Sequence, residues 1–159
     1  MISKIACFVV ILLVCLTIPV FAQIEGGSGK TASLGVMFDS GGTAGPYLNF
    51  DSTVSSQDAF DLSASAGLAF FSVEGISLAL VPIMLNVKSK PTGSGNLCVG
   101  GGAGMIFAGA SYEGSSGSGM IFGYQFFVRN NFSPKMFGEL KMLGISGGML
   151  LAISGGMNF

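Results

Sequence analysis

From Lys135 to Met142 the chain alternates strictly: Met136, Leu140 and Met142 share one face with Gly138 between them, while Lys135, Phe137, Glu139 and Lys141 share the other. Successive side chains of an extended strand point to opposite faces, so this segment has an apolar side and a charged side. The pattern recurs. Met120, Phe122, Tyr124, Phe126 and Val128 oppose Gln125, Phe127 and Arg129, and Leu62, Ala64, Ala66, Leu68 and Phe70 oppose Ser63, Ser65, Gly67 and Ala69. Beyond residue 22 no uninterrupted apolar run reaches the roughly 20 residues of a membrane helix. The best attempt, Ile76–Val87, contains Pro82 and stops at Lys88. Segments of about ten residues with one apolar face, separated by Gly, Ser, Asn, Asp and Pro, are the pattern of membrane-spanning strands.

The reading gives eight such segments: Ser33–Asp39, Tyr47–Val54, Leu62–Phe71, Ile76–Val87, Leu97–Ser111, Met120–Arg129, Lys135–Ile145 and Met149–Phe159. Ten strands would leave too few residues for turns. The fourth segment is apolar on both faces, and the fifth carries Gly100, Gly101, Gly102 and Gly104, which weaken a strand interior. The expected fold is therefore all-β, a closed antiparallel transmembrane β-barrel of about eight strands.

Periodicity alone fits a soluble barrel equally well, with the apolar faces inward. Composition separates the two. Half of the residues are hydrophobic, 9% are charged and 26 are glycine, whereas soluble domains carry about 25% charge. A soluble exterior built from Ser, Gly and Ala with few charges would invite association. Placing the Leu, Phe and Met faces in lipid and the small residues in the lumen removes the difficulty, and it makes Arg129, Glu139 and Lys141 the candidate lumen charges. Glu139 and Lys141 then compensate each other on one face.

The N-terminus reads as an export signal over residues 1–22: Lys4, an apolar run from Ile5 to Ile18, Pro19, and Val20-Phe21-Ala22 as the cleavage site. A lipoprotein signal at Leu12-Leu13-Val14-Cys15 is the rival, with Val14 where a small residue is usual. Residues 23–32 are expected to be a flexible N-terminal segment and residues 33–159 the barrel. With Cys7 and Cys15 removed with the signal, Cys98 is the one mature cysteine and no internal disulfide can form.

The layout resembles the small outer-membrane β-barrel proteins of Gram-negative bacteria, including the barrel domain of outer membrane protein A. Such chains end in an aromatic residue preceded by alternating apolar positions; here Phe159 is terminal with Met157, Ile153, Leu151 and Met149 on its face, and Gly155 departs from the pattern. The resemblance implies a place in the bacterial outer membrane after export. It also implies that the outer-membrane assembly machinery reads the last strand through Phe159 and Met157. The connections that should face outward, around Gly41–Gly45, Glu74–Gly75, Glu113–Ser118 and Ser146–Gly148, are short, so long receptor-binding loops are missing.

Little in the sequence points to chemistry. Gly26-Gly27-Ser28-Gly29-Lys30-Thr31 imitates the end of a phosphate-binding loop, but Ile24 stands where the first glycine belongs and no strand precedes it. Met105 breaks the dinucleotide pattern begun at Val99. No histidine occurs, which disfavours the deacylation, acyl-transfer and proteolytic chemistries that rest on a histidine base. Asp58 and Asp61 make a solvated turn rather than a metal site, and Cys98 lacks a basic sequence neighbour. With 7 basic and 8 acidic residues there is no footprint for nucleic acid. No catalytic, cofactor or metal residue is assigned and no cofactor is expected; the partners are outer-membrane lipid and the assembly machinery. The leading function is a non-enzymatic outer-membrane barrel, structural or a narrow passive pore; eight strands enclose an interior that side chains can just fill, and the many Gly, Ser and Ala residues of the lumen leave a partly open interior as the alternative. The alternative is a surface protein or a barrel binding a small solute or apolar ligand; a membrane-bound hydrolase comes last.

Overall fold

The computed structural model describes residues 29–90 and 96–159; the expected signal at 1–22 lies outside them. Strands β1 (Lys30–Phe38), β2 (Ala44–Ser56), β3 (Phe60–Val73), β4 (Ile76–Ser89), β5 (Leu97–Tyr112), β6 (Ser115–Asn131), β7 (Met136–Ile145) and β8 (Gly148–Asn158) follow in chain order. Each pairs antiparallel with the next, and β1 closes on β8 from Thr31↔Asn158 to Phe38↔Leu151. All eight expected segments are strands. A perpendicular path from Lys30 passes Ser52, Ala64, Leu85, Ala103, Tyr124, Gly144 and Met149 and returns to β1 at its Phe38 end. That stagger is the shear that tilts the strands of a closed barrel.

Two boundaries differ from expectation for physical reasons. β1 begins at Lys30, inside the segment expected to be flexible, because Lys30 pairs with Ser52 and its carbonyl accepts the Phe159 N–H at 2.8 Å. β6 begins at Ser115 rather than Met120. The Ser/Gly run reads as a turn in sequence, yet it pairs residue by residue with β5 as far as Tyr112↔Ser115.

The start of β1 and the end of β8 lie at one end of the barrel, where β2, β4 and β6 also end. The opposite end carries the tighter turns. Glu74-Gly75 and Glu113-Gly114 have φ of 47° and 83° and of 43° and 85°, the paired left-handed residues that suit a two-residue hairpin to the twist of its strands. In the first turn the Asp39 carboxylate accepts the Thr43 N–H at 2.7 Å.

Alternation sorts the faces as the composition argument requires. Leu34, Leu85, Phe122, Phe126, Leu140 and Ile153 point outward and are exposed, whereas Ser63, Asn86, Gln125, Glu139 and Lys141 point inward and are buried. Phe60, Phe132 and Phe159 are exposed near the terminal rim, where aromatic residues settle at a membrane interface. β4 resolves its ambiguity in the same way: Ile83, Leu85 and Val87 face out, and Met84, Asn86 and Lys88 face in. Pro82 has no N–H to give, and the β3–β4 ladder skips from Ala66↔Ile83 to Ala69↔Leu80 around it.

Leu140 is 46% exposed and its neighbours Glu139 and Lys141 are each 3% exposed. Leu140→Lys is expected to cost about 2–4 kcal/mol near the bilayer midplane. Reversible unfolding from lipid vesicles measures it, and parental stability in that variant would mean that the faces are reversed.

Candidate functional site: the barrel lumen

The interior divides into two layers. Toward the tight-turn end lies an apolar layer of Met37, Phe71, Leu80, Ile106, Leu143 and Leu150, joined by Tyr47, Ala69, Met84 and Ala152. Toward the terminal end the same strands place polar and charged residues. The change follows the sequence of each inward face: Met37 gives way to Ser33 and Thr31 along β1, Leu143 to Lys141 and Glu139 along β7, and Leu80 to Asn86 and Lys88 along β4.

Three groups of bonded side chains line the polar layer. In one, Arg129 donates to Glu139 Oε2 from Nε at 2.9 Å and from Nη2 at 2.7 Å, and Lys141 Nζ lies 3.1 Å from Glu139 Oε1. That second contact is an ion pair without hydrogen-bond alignment, which leaves Oε1 without a hydrogen-bond donor. Lys141 also donates to the Tyr47 hydroxyl at 3.1 Å, across the lumen from β7 to β2. The Arg129 guanidinium sits 4.0 Å from the Phe137 ring centroid, where a cation meets the negative face of the ring. In the second Asp51 accepts from Lys88 at 2.8 Å and from the Ser63 hydroxyl at 2.8 Å. In the third Asn86 donates to Ser65 at 3.0 Å and accepts from Gln125.

The three lumen charges named from sequence thus come together, with Glu139 between two cations rather than one. Sequence reasoning missed Asp51, Lys88, Tyr47, Asn86 and Gln125. The available signal was position: Asp51 lies on the same face of β2 as Asn49 and Thr53, so a single charge sits within a small polar stripe.

The lumen is filled. At Gly100 a Cβ would collide with the Phe127 ring, and at Gly156 with the Phe137 ring. These inward glycines are beds for aromatic side chains, not gaps. Seven inward-facing or core side chains, Tyr47, Phe137, Met37, Met84, Ile106, Leu143 and Gln125, are under 2% exposed, which decides a point that the sequence leaves open. An eight-stranded barrel is of the width that side chains can fill.

Cys98 is buried beside this layer, opposite Arg129 in the β5–β6 register, with its Sγ 3.0 Å from the Ser89 carbonyl oxygen. The other candidates lie apart from it. Asp61 accepts from Ser56 and pairs with Lys90 at 3.6 Å, and Asp58 is exposed in the adjoining turn. Among the described residues no three of the Cys, Asp and Glu side chains gather as a metal site. Met157, on the outward face of β8, is 49% exposed, and Phe159, just past the end of the strand at the terminal rim, is 71% exposed.

No protein-family model matches the chain, and no curated protein matches it in sequence. Solved structures do. The outer membrane protein Ail of Yersinia pestis, in a phospholipid bilayer nanodisc, superposes with a TM-score of 0.58 at 10% identity, covering 84% of this chain and all of that one. The N-terminal β-barrel domain of Pseudomonas aeruginosa OprF gives 0.57 at 15% identity over 85% of this chain and 100% of that one. Neisserial surface protein A gives 0.53 at 11% over 82% and 95%. The fold is that of the small outer-membrane β-barrels. In such a barrel the outward Leu, Phe, Met and Val residues meet acyl chains, and the polar layer is enclosed by a wall whose backbone groups are paired.

Enclosure sets the energetics of the lumen. Glu139→Gln leaves Arg129 and Lys141 buried without their counter-ion, and removing one partner of a buried pair costs about 3–5 kcal/mol. Ser33 and Ser154 hydroxyls are buried without partners, so Ser33→Ala and Ser154→Ala should be neutral or stabilising. Urea unfolding of the three variants from vesicles tests the contrast. Equal losses would contradict the described network.

Proposed function

We propose that the protein is a non-enzymatic outer-membrane β-barrel of structural role, a closed lipid-facing cylinder rather than a pore. The observation that carries this reading is the filled lumen, with an apolar layer at one end and ion pairs bridging the wall at the other. Residues 1–22 act as the export signal in this account, and the terminal rim faces the periplasm. Phe159 and Met157, exposed at the end of the last strand, serve as the element that the assembly machinery reads. The absence of histidine from the whole sequence removes the usual general base for hydrolysis. A narrow passive pore finds no support in the packing of Tyr47, Phe127 and Phe137.

The solved structures support the setting. The one of Ail was determined in a phospholipid bilayer nanodisc, and Ail, the attachment invasion locus protein, has also been solved with the heparin analogue sucrose octasulfate. Here the turns at the tight-turn end are short, so recognition at the cell surface is the second reading and needs a surface other than long loops.

Two experiments test the proposal. The refolded chain in a planar bilayer should give no steady conductance; stepwise currents at modest voltage would replace the closed barrel by a pore. Deletion of Phe159 should reduce the outer-membrane fraction and leave protein to periplasmic proteolysis. Normal membrane levels of that variant would remove the assigned assembly role.

A further inference from the structure

The barrel rim at the tight-turn end is uneven. β6 pairs with β5 all the way to Tyr112↔Ser115, but it meets β7 only from Gly123↔Ile145 onward. Among the described residues the stretch Ser115–Phe122 therefore has a strand neighbour on one side and none on the other. β5 is backed by β4 as far as Ser77↔Ser111, and β4 by β3 as far as Val73↔Ile76. A sheet of β3 to β6 thus continues past the β7–β8 turn, with β6 as its free edge.

That edge is open to a partner. Residues Ser115 to Met120 are exposed, and nothing lies within 4 Å of the positions a Cβ would take at Gly117 and Gly119. Natural edges are guarded by charge, proline or a bulge. Between Ser115 and Phe122 there is no charged residue and no proline, and the β5–β6 register is unbroken. The turns at this end supply Asp39, Glu74 and Glu113. Among the described residues the cations lie in the lumen (Lys88, Arg129, Lys141) or toward the terminal rim (Lys30, Lys90, Lys135).

We propose that the outer edge of β6 docks an extended, basic polypeptide segment by strand addition. Unpaired backbone groups give the binding, and the acidic turns select the charge. A second copy in the same membrane does not fit. Two copies there are related by an axis along the membrane normal, so both β6 strands rise in the same sense. Antiparallel addition is excluded, and the tilt of about 35–45° makes parallel edges cross. The proposal rests on the outer-membrane reading for its outward orientation.

The probe is a labelled ten-residue peptide of alternating Lys, Thr and Val, added at low salt to the full barrel in nanodiscs. β-type circular dichroism and heat-dependent gel mobility first establish that the barrel has formed, so a failed barrel is distinguished from a failed edge. The peptide should bind. Methylating alternate backbone nitrogens should weaken it by about tenfold or more, since several hydrogen bonds are lost, and replacing its Lys by Glu should abolish binding. Proline placed in turn at Ser116 and Gly117 should, at the one position whose N–H points away from β5, keep the barrel and lose the peptide. Equal binding of the methylated or the Glu peptide, or none to a formed barrel, overturns the proposal. So does self-association removed by the same proline, which would assign the edge to a second copy.

Discussion

Everything in this molecule follows from the requirement that a backbone in hydrocarbon leave no N–H or C=O unpaired. A sheet satisfies it only by closing. The β1–β8 seam does so, running from Thr31↔Asn158 to Phe38↔Leu151, and it draws Lys30 into the sheet and fixes Phe159 at the rim. Closure also explains why a strand as rich in glycine as β5 persists. With neighbours on both sides over most of its length, its stability comes from the ladder and from the Phe127 ring packed over Gly100, not from β-propensity.

Once the wall is closed, the lumen becomes a buried interior with its own demands. Charges there must be paired within the barrel, and Glu139 meets that demand for Arg129 and Lys141, as Asp51 does for Lys88. Arg129–Glu139 joins β6 to β7 and Lys88–Asp51 joins β4 to β2, whereas Glu139 and Lys141 share β7 and the hydrogen bond from Lys141 to Tyr47 carries that cluster across the lumen to β2. A buried pair is weak evidence of net stability, and its best-attested use is to fix register. Slipping β7 by one residue against β6 would turn Glu139 into lipid and leave Arg129 alone inside.

Much of this was legible in the sequence. Strand number and the lipid-facing set follow from period-2 alternation at Leu140, Phe122 and Leu68, which any extended strand must obey. Lumen contacts were not legible, since Lys141 with Tyr47 and Gln125 with Asn86 are far apart in sequence and meet only through curvature. Glycine misled twice. Inward Gly100 reads as a weak point of its strand but receives the Phe127 ring, and the Ser115–Gly119 run reads as a turn but continues a strand, because pairing to β5 outweighs its low propensity.

The central claim is that even positions of β7 face lipid and odd positions face a sealed interior. Spin labels placed singly from Met136 to Ile145 in the bilayer-inserted barrel report it through collision with oxygen, which dissolves in lipid, and with a water-soluble nickel chelate. The account predicts oxygen accessibility that peaks at Met136, Leu140 and Met142 with a period of two residues, and little access of either reagent at Glu139, Lys141 and Leu143. Nickel access at those odd positions comparable to that of exposed loops, or oxygen maxima there instead of at the even positions, would contradict it.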